Sequence, residues 1–179
     1  AASDVYKRQL MGIVGDVLSF SKLDAGQLSL ATEPLSLADL VRDVAAMLRP
    51  RLKDGVDLQT DTTQLQVPMV LGDAVRVRQI LLNLGSNAAR LTTAGHIRLR
   101  AGSVQQGSTA VVTLSVEDTG PGIPADALER IFEPYEQVGR QQGGTGLGLP
   151  ITRGLVTAMG GRVTACLLYT SPSPRDKSS

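Results

Sequence analysis

Tryptophan is absent from the sequence, and aromatic residues make up only 3% of it. Leucine, valine, isoleucine and alanine must therefore fill any core, and a hydrophobic content of 42% is enough for that. There is one cysteine, Cys166, so no disulfide framework can be argued. There is one histidine, His96, with no second ligand or partner carboxylate near it in sequence; it reads as an ordinary strand or surface residue beside a turn. Neither charge sign is in excess: the formal net charge is +1, which argues against a nucleic-acid footprint. No apolar run approaches membrane-spanning length, and no signal-peptide pattern is visible. A length of 179 residues fits one domain, or one domain and a fragment.

What is present is concentrated between Val112 and Leu149. The β-branched run Val111-Val112-Thr113-Leu114-Ser115-Val116 alternates like a strand. It leads into Glu117-Asp118-Thr119-Gly120-Pro121-Gly122-Ile123-Pro124, so Asp118 falls where a strand ends and a glycine loop begins. A carboxylate there can accept a hydrogen bond from the exocyclic amine of a base. Gly120 and Gly122 let the backbone pass close to a flat ligand. Downstream, Gly143-Gly144-Thr145-Gly146-Leu147-Gly148-Leu149 is a glycine loop entering an apolar helix expected from Leu149 to Met159. Backbone N–H groups of such a loop, with a helix N-terminus behind them, suit phosphates. A base pocket followed by a phosphate cradle suggests a nucleotide site. It is not a Walker loop, because no lysine lies near these glycines, nor a dinucleotide fingerprint, because the sixth position from Gly144 is Leu149. The plain alternative is two unrelated turns.

In chain order, Leu10 to Ala25 is predicted as a helix, with Leu10, Ile13, Val14, Val17 and Leu18 in one stripe and Leu23 following. It is either a peripheral core helix or the end of a longer one that pairs with a second chain. Leu28, Leu30 and Leu35 alternate loosely, as in a short strand. Ser36 opens a helix through a capping box with Asp39. Leu37, Leu40, Val41, Val44, Ala45, Met47 and Leu48 form its expected buried face, and Pro50 ends or kinks it. Asp54-Gly55 is a turn, and Val56 to Thr60 and Met69 to Leu71 are short strands. The helix after Asp73 carries Ile80, Leu81, Leu84 and Ala88 on its buried stripe. Asn83 and Asn87 are four apart, hence on one face, and Arg90 is three further on. Asparagine is a poor helix-interior residue, so the pair needs a reason. Either the amides bond to loops, or an amide oxygen holds a Mg²⁺ ion that also binds phosphates, with Arg90 neutralising their charge. Thr92, Thr93 and Gly95 close that helix. His96 to Arg100 and Ser108 to Val116 form a hairpin whose loop is Gly102 to Gly107. Ala125 to Ile131 is a short helix, Gly139 to Gly144 a polar lid, and Gly160-Gly161 stops the last helix. Arg162 to Ala165 begins a further strand.

The two ends stand apart. Ala1 to Gln9 resembles the in-frame translation of a transposase adapter used in sequencing libraries, and Cys166 to Asp176 resembles the opposite adapter read outward. The native sequence is therefore expected to be Leu10 to Ala165, cut from a longer gene, with residues 1–9 and 166–179 outside it. Taking the four basic and two acidic residues of these ends from the totals of 18 and 17 moves the net charge from +1 to −1.

From Leu10 to Ala165 the chain resembles the ATP-binding catalytic region of sensor histidine kinases, in the superfamily shared with gyrase, the Hsp90 chaperones and mismatch-repair ATPases. Asn83-x-x-x-Asn87-Ala88-x-Arg90 is similar to the family's N box, and Asp118-x-Gly120-x-Gly122 to its first glycine box. Ile131-Phe132-Glu133-Pro134-Tyr135 is similar to the F box, and Gly144-Thr145-Gly146-Leu147-Gly148-Leu149 to the second glycine box. Phe20-Ser21-Lys22-Leu23-Asp24-Ala25-Gly26 resembles the end of the dimerisation and phosphoacceptor hairpin.

The resemblance implies an α/β (α+β) two-layer sandwich, a mixed β-sheet with helices on one face, plus an N-terminal helical stub. Residues 10–27 would end the dimerisation helix, and residues 34–165 would form the catalytic domain without its last strand. The implied ligands are ATP and Mg²⁺. Asp118 binds the adenine amine, and Gly120 and Gly122 shape the base pocket. Asn83 and Asn87 face the phosphates, Asn87 as the Mg²⁺ ligand, and Arg90 takes the place of the usual basic residue. Gly144, Thr145, Gly146, Leu147 and Gly148 cradle phosphates, and Phe132 anchors the lid. ATP-hydrolysing members carry a glutamate at the position of Asn83; a neutral amide is no general base, which favours phosphoryl transfer to another group over hydrolysis.

Two departures are Leu91, where an aromatic is usual, and a short lid. The family's phosphoacceptor histidine lies before Leu10, and His96 is in the wrong element to replace it, so this stretch alone is expected not to autophosphorylate. The implied function is donation of the ATP γ-phosphoryl group to a histidine, for relay to a response-regulator receiver aspartate. The implied protein is a homodimer through the helical hairpin, with this domain in the cytoplasm. The rivals are a gyrase- or chaperone-type ATPase and a degenerate nucleotide-binding module without catalysis.

Overall fold

The computed structural model of the chain describes residues 2–134 and 147–166. Helix α1 spans Ala2–Asp24 and starts ahead of the expected Leu10. No glycine or proline interrupts residues 2–10, and a nucleated helix gains one hydrogen bond for each residue added. Leu10, Val14, Val17 and Leu18 of the expected stripe are exposed, whereas Phe20 and Leu23 near the end pack on the body. Strand β1 covers only Glu33–Ser36, and Leu28 and Leu30 lie in irregular chain. Leu28 is held by packing near α1's end rather than by strand pairing.

Ser36 ends β1 and caps α2, Leu37–Leu48: its Oγ accepts from the Asp39 N–H at 3.3 Å. Such a cap is worth about 1 kcal/mol. Only half of the expected box forms. The Asp39 carboxylate turns outward to Arg42 Nη2 at 2.6 Å, being one methylene shorter than the glutamate that reaches back in the full motif. Leu37, Leu40, Val41, Val44, Ala45 and Leu48 are buried, but Met47 is 43% exposed because it falls beside their i, i+3, i+4 stripe. A 3-10 turn at Arg49–Arg51 follows, with Pro50 inside it.

Strand β2, Val56–Leu65, runs further than the alternation suggested, with a register shift between Asp61 and Gln64. Strand β3, Met69–Gly72, pairs antiparallel with β1 as a separate two-stranded ribbon. Helix α3, Ala74–Leu91, is capped by Asp73, whose Oδ1 accepts from the Arg76 N–H at 3.1 Å. Strands β4, Gly95–Gln106, and β5, Thr109–Asp118, form a hairpin. Its turn is at Gly107-Ser108 rather than across Gly102 to Gly107. Ala101 and Ser103 continue the inward alternation, and the Ser103 hydroxyl is bonded at the Val67 backbone N–H and carbonyl at 2.8 and 2.6 Å, which carries the pairing to Gln106.

The main sheet has the order β2-β4-β5, parallel between β2 and β4 and antiparallel between β4 and β5. Leu58, Ile97, Leu99 and Ala101 point inward and share a core with α2 and α3. The opposite face carries Arg98 and Arg100, bonded to Gln59 and Glu117. This is the expected two-layer arrangement, a mixed sheet with helices on one face. Gly85 of α3 allows the close approach of α2, since a Cβ there would overlap Leu48 Cδ1. Helix α4, Gly148–Ala158, packs on α3 and on the end of α1 through Ile80, Leu147, Ile151 and Leu155. It stops at Gly160, φ +77°, where the Gly161 N–H returns to the Val156 carbonyl at 2.9 Å. The segment 125–132 is two 3-10 turns, Ala125–Ala127 and Arg130–Phe132, rather than one helix. Residues 162–165 form no strand, because no described neighbour pairs with them.

Candidate nucleotide site

Strand β5 delivers Asp118 as its last residue, exposed at the sheet's end. The following residue ties the loop down. The Thr119 hydroxyl accepts from the His96 N–H at 2.9 Å and donates to the Ala94 carbonyl at 3.1 Å. Thr119 N–H also donates to the His96 carbonyl at 3.1 Å. His96 therefore serves this loop through its backbone, not its imidazole. Asp118 Oδ1 accepts from the Gly120 N–H at 2.9 Å, which fixes one carboxylate oxygen and leaves Oδ2 without a hydrogen-bond partner among the described residues. A side chain at 120 would crowd the loop: a Cβ would stand 2.9 Å from Asp118 Oδ1 and 3.2 Å from Thr92 Oγ1. Gly122 takes φ +75°, the left-handed region.

The amide-bearing face of α3 lies toward α4. Asn83 Nδ2 is 3.4 Å from the Gly148 carbonyl and 3.5 Å from Thr152 Oγ1, at the limit of hydrogen bonding. Asn87 Oδ1 accepts from Arg90 Nη2 at 3.2 Å. Lys53 Nζ donates to the Arg90 carbonyl at 2.7 Å and adds a second cation beside Arg90. Leu147 is fully buried and Gly148 opens α4. Gly144, Thr145 and Gly146, with Tyr135 and the lid, lie outside the described residues. Phe132 is half-buried at the end of its 3-10 turn, beside the buried Ile131.

Along α3 the two ends of the site are ordered. Asn83 faces the start of α4, Asn87 follows one turn later, and Thr92 meets the Asp118 loop. Asn83 and Thr92 are about 14 Å apart along the axis at 1.5 Å per residue. That length suits an extended nucleoside triphosphate, base toward Asp118 and phosphates toward α4. Three contributors escaped the sequence: Thr119, Lys53 and the buried Thr92. Each acts on a residue distant in the chain or around a turn, and none has a local signature.

Asp73 anchors this helix from below. Its Oδ2 accepts from the Ala31 N–H at 3.0 Å, and that bond, with the one from Arg76, holds its pKa below the ordinary 3.8. Among the described residues, no group of three or more His, Cys, Asp or Glu side chains could hold a metal, and no helix is long and apolar enough to cross a membrane.

Residues 72–178 match the family described as histidine kinase-, DNA gyrase B-, and HSP90-like ATPase. The sensory/regulatory protein RpfC of Xanthomonas campestris is 38% identical over 167 residues, 87% of this chain and 22% of RpfC. The signal transduction histidine-protein kinase BarA of Escherichia coli is 37% identical over 161 residues, 87% of this chain and 18% of BarA. The chain thus spans less than a quarter of the length of either curated relative. Full-length ShkA, solved in complex with AMPPNP, superposes with a TM-score of 0.73 at 39% identity, over 84% of this chain and 31% of ShkA. The Acinetobacter baumannii histidine kinase AdeS gives 0.65 at 28% identity, over 81% of this chain and 65% of its own. By sequence and by fold, the chain belongs to the histidine kinase-, DNA gyrase B- and HSP90-like ATPase family and is an ATP-binding catalytic domain of its histidine kinase branch.

Proposed function

We propose that this domain binds ATP with the adenine amine on Asp118 and donates the γ-phosphoryl group to a histidine of a longer, homodimeric protein, for relay to a receiver aspartate. The observation that carries the reading is the order along α3: Asn83 beside the start of α4 at one end, the Asp118 loop beside Thr92 at the other, with Asn87 and Arg90 between them. The amide at position 83 supports transfer over hydrolysis, because it cannot take a proton from water. The transfer then rests on positioning and on neutralising phosphate charge, roles open to Arg90 and Lys53. The described start of α4 at Gly148 offers the backbone N–H groups of a helix N-terminus to phosphates.

Asn87 suits Mg²⁺ chemically. Its amide oxygen is a hard ligand, and Mg²⁺ in phosphate sites takes few protein ligands beside substrate oxygens and waters. Asn87 would hold the ion, which would neutralise phosphate charge, and Arg90, now bonded to the Asn87 amide oxygen, would add its own charge beside the phosphates. Residues 10–27 are read as the end of the dimerisation helix, supported by the exposed Leu10, Met11, Val14, Val17 and Leu18, and residues 34–165 as the catalytic domain working in the cytoplasm.

The test is calorimetry of Mg-ATP binding to the 179-residue chain and to Asp118→Asn. A charge-assisted hydrogen bond of roughly 1.5–3 kcal/mol predicts a loss of about ten- to a hundredfold in the variant. Equal affinity in both proteins would refute the base assignment.

A further inference from the structure

Thr152 lies one turn into α4, and its side chain is fully buried. Its hydroxyl donates to the Gly148 carbonyl at 2.8 Å. That bond is the ordinary habit of a threonine inside a helix, and it uses the one proton the hydroxyl has. With the proton committed, Oγ1 can only accept.

The group it faces is the side chain of Asn83 on α3. Asn83 Nδ2 stands 3.5 Å from Thr152 Oγ1 and 3.4 Å from the Gly148 carbonyl oxygen. Both neighbours are acceptors, so the NH₂ end of the amide is the end turned toward α4; its oxygen there would meet only lone pairs. Oδ1 is left with no hydrogen-bond partner among the described residues. Asn83 is half-buried and shares its face of α3 with Asn87, one turn on. An amide that offers only its oxygen is a poor match for phosphate oxygens, which are acceptors too. It matches a hard cation, or a water bound to one.

We propose that Thr152 is a positioning residue for the phosphate end of the site: with the Gly148 carbonyl, it holds the Asn83 amide so that Oδ1 is presented to the Mg²⁺ of Mg-ATP or to that ion's water shell. Asn83 then serves the ion beside Asn87. The phosphate oxygens are left to Arg90 and to the N–H groups that open α4. The inference rests on the reading of this end of α3 as the Mg²⁺ and phosphate site.

The experiment is calorimetry on the 179-residue chain with ATP in Mg²⁺, ATP in EDTA, and AMP, which lacks the β- and γ-phosphates. The proteins are wild type, Thr152→Val, Thr152→Ser, Asn83→Ala, and Asn83→Ala combined with Thr152→Val. Thr152→Val keeps the shape and removes the acceptor. It should weaken Mg-ATP about two- to fivefold, the lower part of the range for one net hydrogen bond, as suits a contact of this length. It should leave ATP in EDTA and AMP unchanged, whereas a purely structural role would weaken all three. Thr152→Ser, which keeps the hydroxyl, should bind Mg-ATP as wild type does. In the Asn83→Ala background, Thr152→Val should have no further effect, because it acts through that amide. Unchanged Mg-ATP affinity in Thr152→Val, equal weakening of ATP with and without Mg²⁺, or a full added loss on top of Asn83→Ala overturns the proposal. Should Thr152→Val not fold, Thr152→Ala also lacks the hydroxyl and carries the same test. If wild type binds ATP equally in Mg²⁺ and in EDTA, the reading of this end as a Mg²⁺ site is itself wrong and the role of Thr152 falls with it; that comparison involves no variant of Thr152, so the two failures are distinct.

Discussion

A side chain on Gly95 would overlap the Thr119 hydroxyl, which accepts from the neighbouring His96 N–H at 2.9 Å. The start of β4 and the residue after Asp118 are therefore clasped through a space that only glycine leaves open. Gly95 also takes φ +102°. Gly95→Ala should strain the backbone by about 1–3 kcal/mol and push Thr119 away. Both the melting temperature and ATP affinity should fall, since Asp118 moves with Thr119. A stable Gly95→Ala protein with wild-type ATP affinity would contradict the clasp.

Gly85 and Leu48 set two effects of known size against each other. Alanine at 85 would favour the helix by roughly 1 kcal/mol. Its Cβ, however, would overlap the Cδ1 of Leu48, which is fully buried. Overpacking of this kind costs about 1–3 kcal/mol. The overlap costs more than the helix gains, so Gly85→Ala should lower stability in urea denaturation. Gly85→Ala combined with Leu48→Val should recover part of the loss.

Asp73 predicts a pH dependence. The Ala31 N–H bond, followed by that of Arg76, lowers its pKa below 3.8 in the folded state. A carboxylate lowered on folding stabilises the protein above its unfolded pKa, and the contribution is lost as pH falls through the folded value. Asp73→Ala should cost about 0.5–2 kcal/mol at neutral pH, the size of a lost N-cap. The difference from wild type should shrink below about pH 4. Asp73→Asn should keep the cap yet lose this pH dependence, measured by thermal denaturation across the acid range.

Asn87 and Mg²⁺ are tested together. Asn87→Ala should weaken ATP binding in the presence of Mg²⁺ and make it nearly indifferent to chelation by EDTA. Wild type should bind ATP more weakly once the ion is removed. A variant that keeps the full Mg²⁺ dependence would assign the ion to other ligands.

Much of the fold was legible because its signals are local. The stripe of α2, its Ser36 cap and the Gly160 stop of α4 each depend on residues within a few positions of one another. Asp118 at a strand end was legible for the same reason, as was the shared face of Asn83 and Asn87. Met47 was misread by one position of the helical period, and the hairpin loop because Gly102 and Gly107 bracket Ser103, which the inner face of the sheet still buries.

The sequence by itself determined the elements, the capping residues and the types of group at the two ends of the site. These follow from backbone propensity and side-chain period, which act over one or two turns of chain. Only the tertiary structure decided that Gly95 must yield to Thr119, Gly85 to Leu48, and Gly120 to Asp118 and Thr92. Each is a matter of excluded volume between elements far apart in the chain. It becomes defined when α2, α3 and the sheet are packed together, because close packing lets no Cβ share space with a neighbour.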